Sequence, residues 1–319
     1  MGKVATLLGM IAVLTLTGSA GADPVSVSDI PVRPGPVQSV HGFAATYERQ
    51  NPGSVPIGTN DFDCRPDAAR PHPVVLLHGT DSSAYNDFAA IAPRLSDAGF
   101  CVFALNYGGD PTKKSYGTED LRLSGPQVAD FVATVLARTG ASKVDIVGYS
   151  QGATVARYYV NRLGGAPYVD QWIGIASPTY GGTMYGAGTV AGAIPGVIDA
   201  LTPALTLAVV QQMAGSAFLA ELNSGGDTVP GVRYTTIGSR VDEMIQPFDN
   251  IALRGPGATN LVIQDLCPTD LTGHFQLVYD PFTIQLLLNT LDPANASTPE
   301  CVIVPLGTGM AEVIGSAHS

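Results

Sequence analysis

The stretch Val144-Asp145-Ile146-Val147-Gly148-Tyr149-Ser150-Gln151-Gly152-Ala153 decides how the chain is read. An apolar, β-branched run ends in Gly-x-Ser-x-Gly. Beyond it, Ala156, Tyr159, Val160 and Leu163 recur at i, i+3, i+4, i+7 until Gly164-Gly165 interrupts them. The pattern predicts a strand, a tight turn and a helix, the layout of a nucleophile elbow. A serine hydroxyl is a weak nucleophile. A sharp turn at a strand end lifts it clear of the sheet, where a base can reach it and backbone N–H groups can face a developing oxyanion. The two glycines suit the same turn, since a side chain at either position would crowd helix against strand.

Further strand-like runs occupy 74–77, 101–105, 172–176, 232–237 and 261–266. Between several of them lie helical patterns. Over 127–138, Val128, Phe131, Val132, Val135 and Leu136 form one apolar face, with Pro126 near the start and Gly140 past the end. Alternation of this kind predicts an α/β fold, a mostly parallel sheet with helices on both faces. Residues 23–60, rich in Pro, Gly and Val without a helical period, are expected to form an extended arm. The segment 181–226 is rich in small and apolar residues and too long for a bare connection. It is read either as a helical hairpin closing the core or as a small helical cap over an apolar site.

Residues 1–22 carry Lys3, an apolar run from Val4 to Leu16 and Ala20-Gly21-Ala22, the pattern of a cleaved secretory signal. The run is too short to span a bilayer comfortably, so a secreted protein without a transmembrane anchor is expected. Residues 23–319 then fit one catalytic domain. Charged residues make up only 13% of the chain and the net charge is −11; with no basic stripe, nucleic acid is excluded as a partner. Four cysteines in an exported chain suggest two disulfides. Three connectivities are possible, and the sequence-local one, Cys64–Cys101 and Cys267–Cys301, is favoured. No cysteine has a second cysteine or a histidine at metal-ligand spacing, so neither a metal nor a cofactor is expected.

An acyl-transfer serine needs a base, an acid and an oxyanion hole. In the chain order of such elbows the base follows the serine. His41 and His72 precede the sheet core and His318 is next to last, which leaves His274. Asp242 lies a short loop beyond the run 232–237, where α/β sites gather. Glu243 is its adjacent rival, with Asp265 and Asp270 behind it. The run from Pro73 to Thr80 reads as a strand ending in His78-Gly79, whose following loop donates an N–H to the oxyanion beside that of Gln151. Thr80 could add its hydroxyl, and His78 is read as packing the loop.

With these residues in place, His78-Gly79-Thr80, the Ser150 elbow, the run from Gln211 to Pro247 and Cys267-Pro268 through His274 together resemble the class 2 lipases secreted by actinobacteria. More distantly, Asp242, Glu243 and Pro247 match the Asp-Glu-x-x-x-Pro motif of the fungal lipase B family. The resemblance covers most of 60–305. It implies an α/β-hydrolase fold, cofactor-free hydrolysis of carboxylic esters, a triad of Ser150, Asp242 and His274, and Thr80 and Gln151 as oxyanion donors. Tyr149 and Ala153 depart from it, since relatives often carry histidine and glycine there. The expected substrate is a lipid or small ester, met at a lipid–water interface by a single chain. Polyester hydrolysis of the cutinase kind and an inactive binding protein on the same scaffold are the rival readings.

Overall fold

The structure, a computed structural model, describes residues 30–109, 116–182 and 206–317. The leader read at 1–22 and residues 183–205 of the 181–226 segment lie outside the described residues. In chain order the elements are β1 (Arg33–Gly35), α1 (His41–Gln50), β2 (Ser54–Pro56), β3 (Val74–Leu77), α2 (Ala84–Phe88), α3 (Ile91–Asp97), β4 (Val102–Leu105), α4 (Leu121–Thr139), β5 (Val144–Tyr149), α5 (Gln151–Arg162) and β6 (Val169–Ile175). Then come α6 (Leu207–Gln211), α7 (Ala217–Asn223), β7 (Arg233–Gly238), β8 (Thr259–Val262), α8 (Ile263–Leu266), α9 (Pro281–Leu291) and α10 (Met310–Ala317).

Six strands form one parallel sheet in the order β4-β3-β5-β6-β7-β8. Its strands read as continuous apolar runs because both faces are covered. In β3, Val74 and Leu76 belong to one core with α2, α3 and α9, while Val75 and Leu77 belong to the other with α4 and α5. The chain leaves β3 for β4 on one side and returns to β5 on the other. This reversal opens a crevice beyond the carboxyl ends of β3 and β5, the place where α/β sheets gather ligands.

Three expectations need correction. The arm at 23–60 is not extended throughout: α1 occupies His41–Gln50. It packs on α10 so closely that a Cβ on Gly42 would overlap the Glu312 backbone. The run 261–266 is only partly a strand, since β8 ends at Val262 and α8 follows. Pro126 sits inside α4, whose first turn is capped by the Asp120 carboxylate accepting the Arg122 N–H at 2.9 Å. Both cysteine pairs form as expected, Cys64–Cys101 and Cys267–Cys301, with Cα separations of 5.8 and 5.4 Å.

Arg157 on α5 is fully buried. It donates to the Asn223 side-chain oxygen (2.6 Å) and to the backbone oxygens of Thr179 (3.2 Å) and Asp227 (3.4 Å). Burial pulls its pKa down to about 10, which leaves it charged at neutral pH. One cation thus ties the helix behind the elbow to α7 and to the loop after β6. Arg157→Met would strand these acceptors, so it is expected to cost about 3 kcal/mol, read as a lower urea midpoint at unchanged m-value.

Candidate active site

The elbow is a strained turn. Ser150 has φ 51° and ψ −118°, a left-handed backbone that non-glycine residues rarely adopt. It is held by Ser150 N–H donating to the Ile175 oxygen on β6 (2.8 Å) and by Ala153 N–H donating to the Ser150 oxygen (3.1 Å). The flanking glycines have a concrete reason. A Cβ on Gly152 would overlap the Leu77 carbonyl of β3, and one on Gly148 would overlap the backbone of Gly152 and Ala153. Ser150 therefore stands at the N-terminus of α5, whose dipole favours negative charge there.

His274 meets this serine from the other side. Its Nδ1–H donates to Asp242 Oδ2 at 2.8 Å, which leaves Nε2 to accept from the Ser150 hydroxyl at 3.2 Å. Asp242 is buried. Its Oδ1 accepts the N–H groups of Met244 (2.8 Å) and Ile245 (2.7 Å), so a charge removed from water keeps three donors. The rival acids are elsewhere occupied. Glu243 accepts the His274 backbone N–H (2.6 Å), Asp265 pairs with Arg240 at the surface, and Asp270 accepts the Thr272 N–H (3.0 Å) and hydroxyl (2.6 Å). Gly273 makes room for this, since a Cβ there would overlap the Glu243 carboxylate. The Cys267–Cys301 bond and the Leu271 N–H to Val304 oxygen bond (3.0 Å) hold the same segment.

Thr80 and Gln151 come together beyond β3 and β5. Neither backbone N–H has a protein acceptor among the described residues, so both remain available. The Thr80 hydroxyl differs from expectation. It donates to Gln151 Oε1 (2.8 Å) while accepting from Gln212 Nε2 (2.9 Å), and Gln212 also donates to Gln151 Oε1 (2.8 Å). Turning that hydroxyl toward an oxyanion means breaking its bond to Gln151. His78 packs the loop as expected: its buried ring stacks on Tyr107 at 4.3 Å, and burial lowers its pKa. Tyr149 is buried in the elbow and donates its hydroxyl to the His274 carbonyl (3.0 Å).

Two cavities meet at Ser150, Thr80, Asp81 and Met244. One, of about 330 Å³, has apolar walls from Pro178, Val209, Met213 and Ile245. The other, of about 390 Å³, is bounded by His41, Arg49, Ser82 and Asn86 together with α10 residues. His41, Asp87 and Gln212 were not legible as site residues, because each reaches the site through contacts distant in sequence. Among the described residues one cluster has metal-ligand spacing, His72, Asp145 and Asp170 at the amino ends of β5 and β6, the end of the sheet away from Ser150. Arg233 and Lys143 already pair with Asp170 there.

Burial alone would lower the His274 pKa. The charge and hydrogen bond of Asp242, with the charges of Glu243 and Asp87, outweigh burial and raise it above 6.5. The imidazole should therefore titrate above 6.5 by NMR, and Asp242→Asn should move that midpoint down. The stabilisation from this proton is complete below the unfolded value of 6.5 and is lost as pH rises through the folded midpoint.

The chain matches the family model for lipase (class 2) over residues 71–287. Triacylglycerol lipases of Pseudarthrobacter phenanthrenivorans and Burkholderia plantarii are each 34% identical to it over 96 residues. Those alignments cover 28% of this chain and 28% and 25% of the two relatives, so the match spans about a quarter of their length. Among solved structures, Aspergillus fumigatus lipase B superposes with a TM-score of 0.60 at 21% identity, covering 77% of this chain and 56% of that one. Bacillus licheniformis lipase BlEst2 in mature form gives 0.52 at 19% identity, covering 72% and 94%. With the parallel sheet, these likenesses give the fold as an α/β-hydrolase. The matched span exceeds half of the sequence, and the chain belongs to the class 2 lipase family.

Proposed function

We propose that this protein hydrolyses carboxylic esters of lipid type through an acyl-enzyme on Ser150. The observation that carries the reading is the Ser150–His274–Asp242 chain of hydrogen bonds, at 3.2 and 2.8 Å, beside an apolar cavity. Ser150 Oγ attacks the ester carbonyl carbon as its proton passes to His274 Nε2. Asp242 then faces an imidazolium, which its buried charge stabilises. The carbonyl oxygen, now anionic, is met by the Thr80 and Gln151 N–H groups at the positive end of α5. His274 returns the proton to the departing alcohol, and water, activated by the same imidazole, releases the acid.

The cavity walled by Val209, Met213 and Ile245 suits the acyl chain, and the more polar one suits the alcohol side. Matched relatives bear the name triacylglycerol lipase, which supports a lipid ester as substrate. No helix among the described residues is long and apolar enough to cross a membrane. The two disulfides fit a protein working outside the reducing cytoplasm.

Ser150→Ala, His274→Ala and the double variant should each lose roughly 10⁶ in kcat, because the pair acts as a unit, and Asp242→Asn should lose less. Labelling by an active-site phosphonate should disappear in Ser150→Ala. Turnover of soluble esters should rise with pH through the raised His274 midpoint, since only the neutral imidazole accepts the serine proton. Along a p-nitrophenyl ester series each added methylene should raise kcat/KM until the cavity is full, by up to about 0.8 kcal/mol or fourfold. A Ser150→Ala protein with normal turnover would refute the mechanism, and a series highest at acetate would refute the assignment of the apolar cavity.

A further inference from the structure

We propose that His41 and Asp87 are positioning residues that hold the oxyanion loop in register, so that α1 belongs to the machinery of the site. The inference rests on the ester-hydrolase reading above. Asp87, on α2, is fully buried. Its Oδ2 accepts the Gly79 N–H at 2.6 Å and its Oδ1 accepts the Ser82 hydroxyl at 2.8 Å. One carboxylate thus pins the chain on both sides of Thr80, whose N–H is left for the substrate. The same bonds keep the Gly79 N–H turned away from it.

A buried negative charge this close to an oxyanion hole opposes the charge the hole must stabilise, unless donors absorb it. Two of its donors belong to the loop itself. The third is His41, the first residue of α1, whose Nε2 lies 3.1 Å from Asp87 Oδ1 and 3.3 Å from Asn86 Nδ2. In the Nε2–H tautomer it donates to the carboxylate, the stronger acceptor, and not to the amide nitrogen, which cannot accept. The ring of His41 also packs edge-on against Phe275 (centroids 5.6 Å), the neighbour of His274, and against Tyr279 (6.2 Å). One imidazole therefore touches the anchor of the oxyanion loop and the segment carrying the base. A second bond joins α1 to the same stretch, from the Ser83 hydroxyl to the Glu48 carboxylate.

The test compares His41→Phe, which keeps an aromatic ring but deletes the donor, with His41→Gln, whose amide N–H reaches about as far as Nε2. For each, kcat and KM on a soluble p-nitrophenyl ester are measured per active site, with sites counted by phosphonate titration, alongside the phosphonate labelling rate and Tm. His41→Phe should lower kcat about tenfold or more with KM within about twofold, and the labelling rate should fall by the same factor. His41→Gln should recover most of both. Asp87→Asn, which keeps the shape, should show the same split and serves if His41→Phe does not fold. A merely structural role would lower Tm and the number of active sites while leaving kcat per site unchanged. That result, or a Gln variant as slow as the Phe variant, overturns the proposal. A wild-type protein that neither turns over ester nor takes the label overturns the hydrolase reading, and this inference with it.

Discussion

The close passage of α5 over the end of β3 is the constraint on which the site depends. At Gly152 the nucleophile helix lies so near the Leu77 carbonyl that no Cβ fits between them. That approach holds Ser150 in its left-handed turn and places the loop after β3 against the start of α5, where the Thr80 hydroxyl bonds to the Gln151 side chain. The proposed nucleophile and oxyanion donors are therefore set by one packing contact. Strain at Ser150 of the order of 1–3 kcal/mol is sustained because β3, β6 and α5 over-determine the turn.

Around this contact the site is organised by three carboxylates, Asp242 and Asp87 buried and Glu243 half-buried, each in a separate task. Asp242 orients the imidazole, Glu243 fixes the backbone of the residue that carries it, and Asp87 anchors the loop opposite. All three are met by N–H or O–H donors, which take the place of lost water. The amino end of β5 gives the contrast. Asp145 has one side-chain donor, Gln171 at 3.3 Å, and burial together with the charge of Asp170 pushes its pKa up to about 7. The loops at the carboxyl ends of the strands supply the donors that Asp145 lacks.

The parts of the fold that could be read from the sequence are those whose signals are local. Apolar runs buried on both faces gave the central strands, and Gly-x-Ser-x-Gly with its helix gave the elbow. The order of the residues singled out His274, and a short loop after a strand pointed to Asp242, which the structure brings to 2.8 Å of that histidine. Less accessible was α1. Its ten residues, HGFAATYERQ, are largely polar or small, its N-cap Val40 makes no side-chain bond, and Gly42 and Ala44 are its only buried residues. Such a helix is stable through its packing on α10, a contact some 270 residues away that no window of sequence contains. His41 was set aside for preceding the sheet, yet the fold returns it to Asp87. Arg157 follows the same logic, since an arginine in a helix reads as solvent-facing until α7 and the loop after β6 supply its acceptors.

The two sides of the site consequently have different origins. On the apolar side the cavity is bounded by the elbow, the loop after β7, and α6 with the turn that follows it. On the other side its wall is made by α1 and α10, from the two ends of the described chain, through residues such as Ala45 and Val313. Neither helix contributes a strand or a triad residue. Changes on their cavity-facing positions can reshape the polar side without moving Ser150, whose geometry is fixed by β3, β6 and α5. The exception is His41, because it joins that outer wall to the Asp87 carboxylate behind the loop after β3. Through it, α1 is linked, by way of Asp87, to the Gly79 N–H beside the proposed oxyanion donor Thr80.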